Sequence, residues 1–104
     1  LVDMIQASPC GVDMQSPPSI LIVAPPLPSN EEFIDTEGER VFVGSIAKAK
    51  MLAPLYNKIA DAKGCEFLDL SQLVTLSTID GIHFDESGHN VVASALKNKI
   101  QSLF

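Results

Sequence analysis

Ser19-Ile20-Leu21-Ile22-Val23-Ala24-Pro25-Pro26-Leu27-Pro28 is the stretch that decides the fold. From Ile20 to Ala24 the run is continuously apolar and rich in β-branched residues, with no polar alternation. A strand of that kind is buried on both faces, as in a parallel sheet covered by helices. Pro25 and Pro26 end it, because proline cannot donate to a sheet ladder. Residues 25–28 then read as a stiff loop leaving the strand, in preference to a proline-rich ligand for another module.

Downstream, residues 41–63 read mostly as helix. Ile46, Ala49, Leu52, Leu55, Tyr56 and Ile59 repeat at three and four, while Lys48, Lys50, Lys58 and Asp61 take other faces. Pro54 is expected to kink this helix or split it in two, and Gly64 to stop it. Glu66-Phe67-Leu68-Asp69-Leu70 is a short second strand. Two strands joined by a helix make a β-α-β unit, expected to be parallel and right-handed. Residues 71–84 read as irregular, with one helical turn near Leu73. A last helix runs from Glu86 or Ser87 to Leu103, with Asp85 as N-cap and Val92, Leu96, Ile100 and Leu103 as its apolar stripe. Residues 29–40 carry Glu31, Glu32, Asp35, Glu37 and Glu39. Their spacing matches no calcium loop, and they read as a solvated surface segment.

Upstream, residues 1–8 read as a helix that Ser8-Pro9 ends, followed by a loop over 9–18. Leu1, Met4 and Ile5 share one helical face, and nothing ahead of Leu1 caps it. The segment reads as the end of a helix whose beginning lies elsewhere. The sheet points the same way. A buried strand needs neighbours on both edges, and two strands alone leave backbone groups unpaired. Either other chains complete the sheet, or residues 1–104 are the C-terminal part of a larger α/β domain, and the second reading is preferred.

The chain has 104 residues, 46% hydrophobic and 19% charged, which fits one globular domain or part of one. No apolar run approaches the roughly 18–20 residues of a membrane span. Seven basic against thirteen acidic residues give a net charge of -6, which disfavours nucleic acid and anionic membrane as partners. Cys10 and Cys65 form no CxxC pair. They read as free, partly buried thiols in an intracellular composition, with a cytoplasmic location expected. No metal or organic cofactor is implied.

The chemistry lies at Asp80-Gly81-Ile82-His83, in a loop directly before the last helix. A carboxylate and an imidazole three residues apart in a turn can fold back on one another. Asp80 can then accept the Nδ1–H of His83, fix its tautomer and stabilise the imidazolium formed when Nε2 takes a proton. Gly81 gives the turn its freedom. An Asp-x-x-His beside a helix start more often caps or packs. Here, though, the pair follows the last strand of an α/β sheet, where sites gather at strand carboxyl ends.

Asp80-Gly81-Ile82-His83-Phe84, with Ser87-Gly88-His89-Asn90 opening a terminal helix, resembles the last block of the SGNH (GDSL-type) hydrolases. Ile20 through Pro28 resembles the strand and proline loop before it. Leu52-Ala53-Pro54-Leu55-Tyr56, Ile59-Ala60 and Cys65 through Leu70 also look like that family, most of all its arylesterase and acyltransferase-like branch. The resemblance covers nearly the whole chain. It implies that Asp80 orients His83, and that His83 serves as general base and then general acid. It also implies that Pro26, Leu27 and Ile82 lie near the substrate mouth. For His89, packing or capping is preferred to a second catalytic role. The family's nucleophile stands in a Gly-Asp-Ser block, and its oxyanion hole uses that serine's N–H with a Gly and an Asn from two further blocks. None of these blocks occurs here, so no serine of this chain is assigned as nucleophile.

The resemblance therefore implies the C-terminal portion of a three-layer α/β/α (flavodoxin-like) fold with parallel strands. It implies that residues 1–104 are part of a serine esterase or acylhydrolase that acts on small carboxylic esters through a Ser-His-Asp triad, and are inactive by themselves. The exposed sheet edge implies self-association or pairing with the missing N-terminal half. The alternative is a non-catalytic oligomeric or interaction domain that keeps an esterase-like fold remnant and completes its sheet between copies.

Overall fold

A computed structural model describes residues 1–103. The element order is α1 (Val2–Gln6), β1 (Leu21–Ala24), α2 (Ser45–Lys63), β2 (Glu66–Asp69), a 3-10 turn (Leu70–Gln72) and α3 (Glu86–Ser102). The β-branched run around Ile22 forms β1, and it pairs in parallel with β2 from Leu21 against Glu66 to Ala24 against Asp69. Parallel pairing obliges the chain to cross back between the strands. Helix α2 makes that crossing and packs on both strands.

Helix α2 is one uninterrupted helix with Pro54 inside it, so the proline does not split it. It stops at Gly64, whose φ of 64° is the left-handed cap that lacks a Cβ penalty there. Its start is held from a distance. Glu31 Oε1 accepts from the Ile46 amide at 2.7 Å and Oε2 from the Gly44 amide at 3.1 Å. These are amides that a helix start leaves without intrahelical partners, and both bonds hold the Glu31 carboxyl below its usual pKa. The acidic segment is thus largely exposed as expected, but one of its carboxylates caps a helix. The same segment makes an antiparallel bridge between Ile34 and Arg40.

Helix α3 begins at the Asp85 N-cap, whose side chain accepts from the Gly88 amide. It runs back far enough for Lys99 to meet Glu66, at the start of β2, at 2.8 Å. Helix α1 sits beside the end of α2. Asp3 pairs with Lys63 at 2.6 Å, and Gln6 Nε2 donates to the Lys63 carbonyl at 2.6 Å.

The strand expected to be buried on both faces is not. Leu21, Ile22 and Val23 are half-buried, and only Ala24 is closed off completely. Among the described residues the buried aliphatic side chains are Ala24, Pro26, Ala60, Leu70 and Leu76, because one helix and one neighbouring strand cannot cover a two-faced strand. Leu55, Ile59 and Ile100, counted in apolar stripes by periodicity, are about half exposed. Cys65 is partly buried, but Cys10 is exposed, and both thiols are free.

The accessible surface is 7285 Å², against about 5,700 Å² for a compact monomer of this mass. The radius of gyration is 16.6 Å, against about 13 Å for a closed domain of this length. Among the described residues no helix is long and apolar enough to cross a membrane.

Core and surface positions should therefore separate sharply. Ala60→Leu, placed where Ala60 is 0% exposed, is expected to destabilise the fold by about 1–3 kcal/mol. Ile59→Ser, one residue earlier and about half exposed, should cost less, about 1 kcal/mol or below. Urea titrations of the two variants check this, and equal midpoints would contradict the burial pattern.

Candidate active site

Because β1 and β2 run in parallel, their carboxyl ends lie on the same side. Residues 25–30 leave from the end of β1, and the chain between the 3-10 turn and α3 returns beside them. Ser29 joins the two segments: its amide donates to the Gly81 carbonyl at 2.9 Å and its hydroxyl to the Ser77 carbonyl at 2.8 Å.

The loop between Ser77 and His83 closes on itself. The Ser77 amide donates to the His83 carbonyl at 2.8 Å, and the Gly81 amide to the Ser77 carbonyl at 3.0 Å. Inside this ring, Asp80 Oδ1 accepts from the amides of Ile82 at 3.0 Å and His83 at 3.1 Å. Aspartate is suited to this, since its short side chain reaches its own backbone two residues on. The other oxygen, Oδ2, meets His83 Nδ1 at 2.5 Å. The spacing read from the sequence thus does bring carboxylate and imidazole together.

The Ile82 amide, the imidazole and the His83 amide together hold the Asp80 carboxyl down at about 2. Asp80 is an anion across the neutral range. With Nδ1 tied to it, Nε2 is the ring nitrogen left to exchange a proton. His83 is 75% exposed and Asp80 26%, so polar contacts rather than packing orient the imidazole.

Gly81 is buried in this loop with φ 82°. A Cβ there would fall 2.9 Å from Asn30 Oδ1 and 3.0 Å from the Asn30 carbonyl oxygen. The position demands glycine twice over, for its left-handed backbone and for the close approach of Asn30.

Of the residues expected near a substrate mouth, Pro26 and Ile82 line one groove of about 510 Å³ together with Pro25, Pro28, Leu52, Leu76 and Phe84. Leu27 is half-buried and is not among the lining residues. The groove also takes in Ser45, Lys48 and Ala49 from the first turns of α2. It adjoins the pair through Ile82 and Phe84, the two neighbours of His83. His89 stacks at a tilt on Phe84, with ring centroids 5.3 Å apart, which fits packing. Among the described residues no cluster of three His, Cys, Asp or Glu side chains is arranged to hold a metal ion.

The residues that sequence reading missed are Ser29, Asn30 and Leu76. Ser29 and Asn30 directly follow the proline loop and are of the types that bond to backbone. Nothing local, however, names a partner nearly fifty residues away.

No protein-family model matches the chain, and no curated protein matches it significantly. Solved structures do. Est24, a carbohydrate acetylesterase from Sinorhizobium meliloti, superposes with a TM-score of 0.85 at 30% identity over 100% of this chain and 48% of its own. The inhibitor-bound aryl esterase of M. smegmatis matches at 0.84 and 28%, again over 100% and 48%. A carbohydrate acetylesterase family member from Sinorhizobium meliloti matches at 0.81 and 28%, over 97% and 46%. The chain thus spans about half the length of these esterases. They bear out the parallel α/β class and the resemblance to a part of an SGNH-type hydrolase.

Two consequences of this geometry are measurable. A carboxyl held at about 2 contributes order above its ordinary value of 3.8 and loses it as pH falls toward 2. The amide signals of Ile82 and His83 should therefore shift between pH 4 and 2, and Asp80→Asn should remove that step. Asp13, also held at about 2, should titrate in the same window at a separate place. Gly81→Ala should destabilise the fold by about 1–2 kcal/mol and displace the turn, readable by thermal unfolding.

Proposed function

We propose that this chain, which carries about half of the fold of the SGNH-type esterases, supplies the acid–base half of a carboxylic-ester hydrolase site. The observation that carries the reading is the Asp80–His83 contact at 2.5 Å, in a loop at the carboxyl end of parallel strands. In the proposed reaction a serine hydroxyl from the other half of the domain attacks the ester carbonyl. His83 Nε2 takes its proton and returns it to the departing alcohol. Water then repeats the sequence on the acyl-enzyme, with His83 as base and the serine as leaving group. Asp80 stays ionised throughout and stabilises the imidazolium. Tetrahedral oxyanions form in both halves of the reaction, and the donors that receive them come from outside this chain.

The groove lined by Pro26, Ile82 and Phe84 is where an apolar portion of the ester would lie. Leu27, off the groove wall, would act at its rim. The names of the matched esterases support small acetyl and aryl esters as the substrate class. The unpaired strand edges and the accessible surface, about a quarter larger than a compact monomer's, favour association with a segment that supplies the rest of the esterase fold. Self-association to a defined oligomer without hydrolysis is the competing reading.

The test has two arms. The isolated chain is treated with a fluorophosphonate probe, its intact mass read, and aryl acetate hydrolysis assayed beside His83→Ala. No adduct and no His83-dependent turnover are expected. In the second arm this chain replaces the matched half of Est24, and the chimera is assayed on the same ester. Turnover is expected to fall by about 10³-fold or more in His83→Ala and by about 10⁴-fold in Asp80→Asn. A stoichiometric adduct on the isolated chain, or a folded chimera indifferent to His83→Ala, would overturn the proposal.

A further inference from the structure

We propose that Ser29 is a positioning residue for the Asp80–His83 pair, its hydroxyl and amide anchoring both ends of the turn that carries Asp80. The inference rests on that pair being the acid–base pair of the site.

The Ser77–His83 loop is closed by its own hydrogen bonds, but a ring closed by two backbone bonds can still change shape. What ties it to the frame is Ser29. The hydroxyl donates to the Ser77 carbonyl at 2.8 Å and the amide to the Gly81 carbonyl at 2.9 Å. These carbonyls lie on either side of Asp80. The Ser77 carbonyl also accepts from the Gly81 amide, so the serine hydroxyl joins the bond that closes the turn. Asn30 then presses against Gly81 from the next position. Glu31, one residue further, bonds to the first amides of α2. Residues 29–31 thus form a strut from the start of the crossover helix to the turn.

Packing cannot do this work, since His83 is 75% exposed. The Ser29 hydroxyl bond is partly buried, where water competes less for its partners. Losing the hydroxyl leaves the backbone bond in place. The turn should therefore stay folded but deform more freely at the Ser77 carbonyl, and the carboxylate should meet Nδ1 less often.

The signature is the tautomer of His83. A free imidazole favours the proton on Nε2, whereas a carboxylate at Nδ1 selects the Nδ1–H form. Ring ¹⁵N shifts on the isolated chain report this at a pH where the imidazole is neutral, with His89 as internal control. Ser29→Thr keeps the hydroxyl, and Ser29→Val keeps the shape of threonine without it. Wild type and Ser29→Thr are expected to show Nδ1–H at His83. Ser29→Val is expected to shift the Nδ1–H to Nε2–H ratio by about fivefold toward Nε2–H, with His89 unchanged.

An unchanged His83 tautomer in Ser29→Val would overturn the proposal. So would Nε2–H in the wild type, or a change at both histidines together with general loss of structure. No ester is present in this experiment. A chimera indifferent to His83 would sink the hydrolase reading without altering these spectra, and an unchanged tautomer would sink the role of Ser29 without altering turnover.

Discussion

Parallel pairing of Leu21–Ala24 with Glu66–Asp69 is the constraint on which the rest of the molecule depends. Strands that run the same way cannot be joined by a tight turn, so the chain must cross back, and α2 is that crossing. The same geometry sends both strand ends out on one side. The loop that holds Ser29 and the loop that holds Asp80 meet there, joined by the bonds of Ser29 to the Ser77 and Gly81 carbonyls.

At that meeting the loops are held by directional polar contacts, not by a core. Asp80 uses one oxygen for two backbone amides and the other for the imidazole. Glu31 similarly divides its two oxygens between two amides of α2. In each case a carboxylate stabilised by N–H donors stays ionised far below neutral pH. Such contacts are strict about geometry, which is what the proposed acid–base role of His83 would need.

The apolar surface tells a complementary story. Ala24, Ala60, Leu70 and Leu76 are buried, while Met51, Leu55 and Ile59 along α2, Met4 on α1 and Leu1 just ahead of it stay open. A strand as apolar as β1 is built for burial that one helix and one neighbour do not provide. The sequence pattern describes the strand's intended surroundings, and the structure describes what this chain supplies of them. The chain spans about half the length of each of these matched esterases.

Much was decided by local sequence. The β-branched run made β1, Gly64 and Asp85 set helix ends through their own backbone and side-chain chemistry, and the three-residue spacing from Asp80 to His83 made their contact possible. These depend on neighbours within a few residues, and that is why they could be read. Pro54 staying inside a continuous helix, Glu31 capping α2 from 13 and 15 residues away, and Ser29 seated on the carbonyls of Ser77 and Gly81 could not. Each depends on which segments the parallel crossover brings side by side, and no local pattern encodes that. Exposure followed the same rule. Periodicity marked Leu55 and Ile59 as apolar stripe residues, but only the tertiary arrangement decides whether anything lies against them. The sequence by itself determined which groups could act. The tertiary structure decided which of them are held in place to do so, because orientation is a property of contacts between distant parts of the chain.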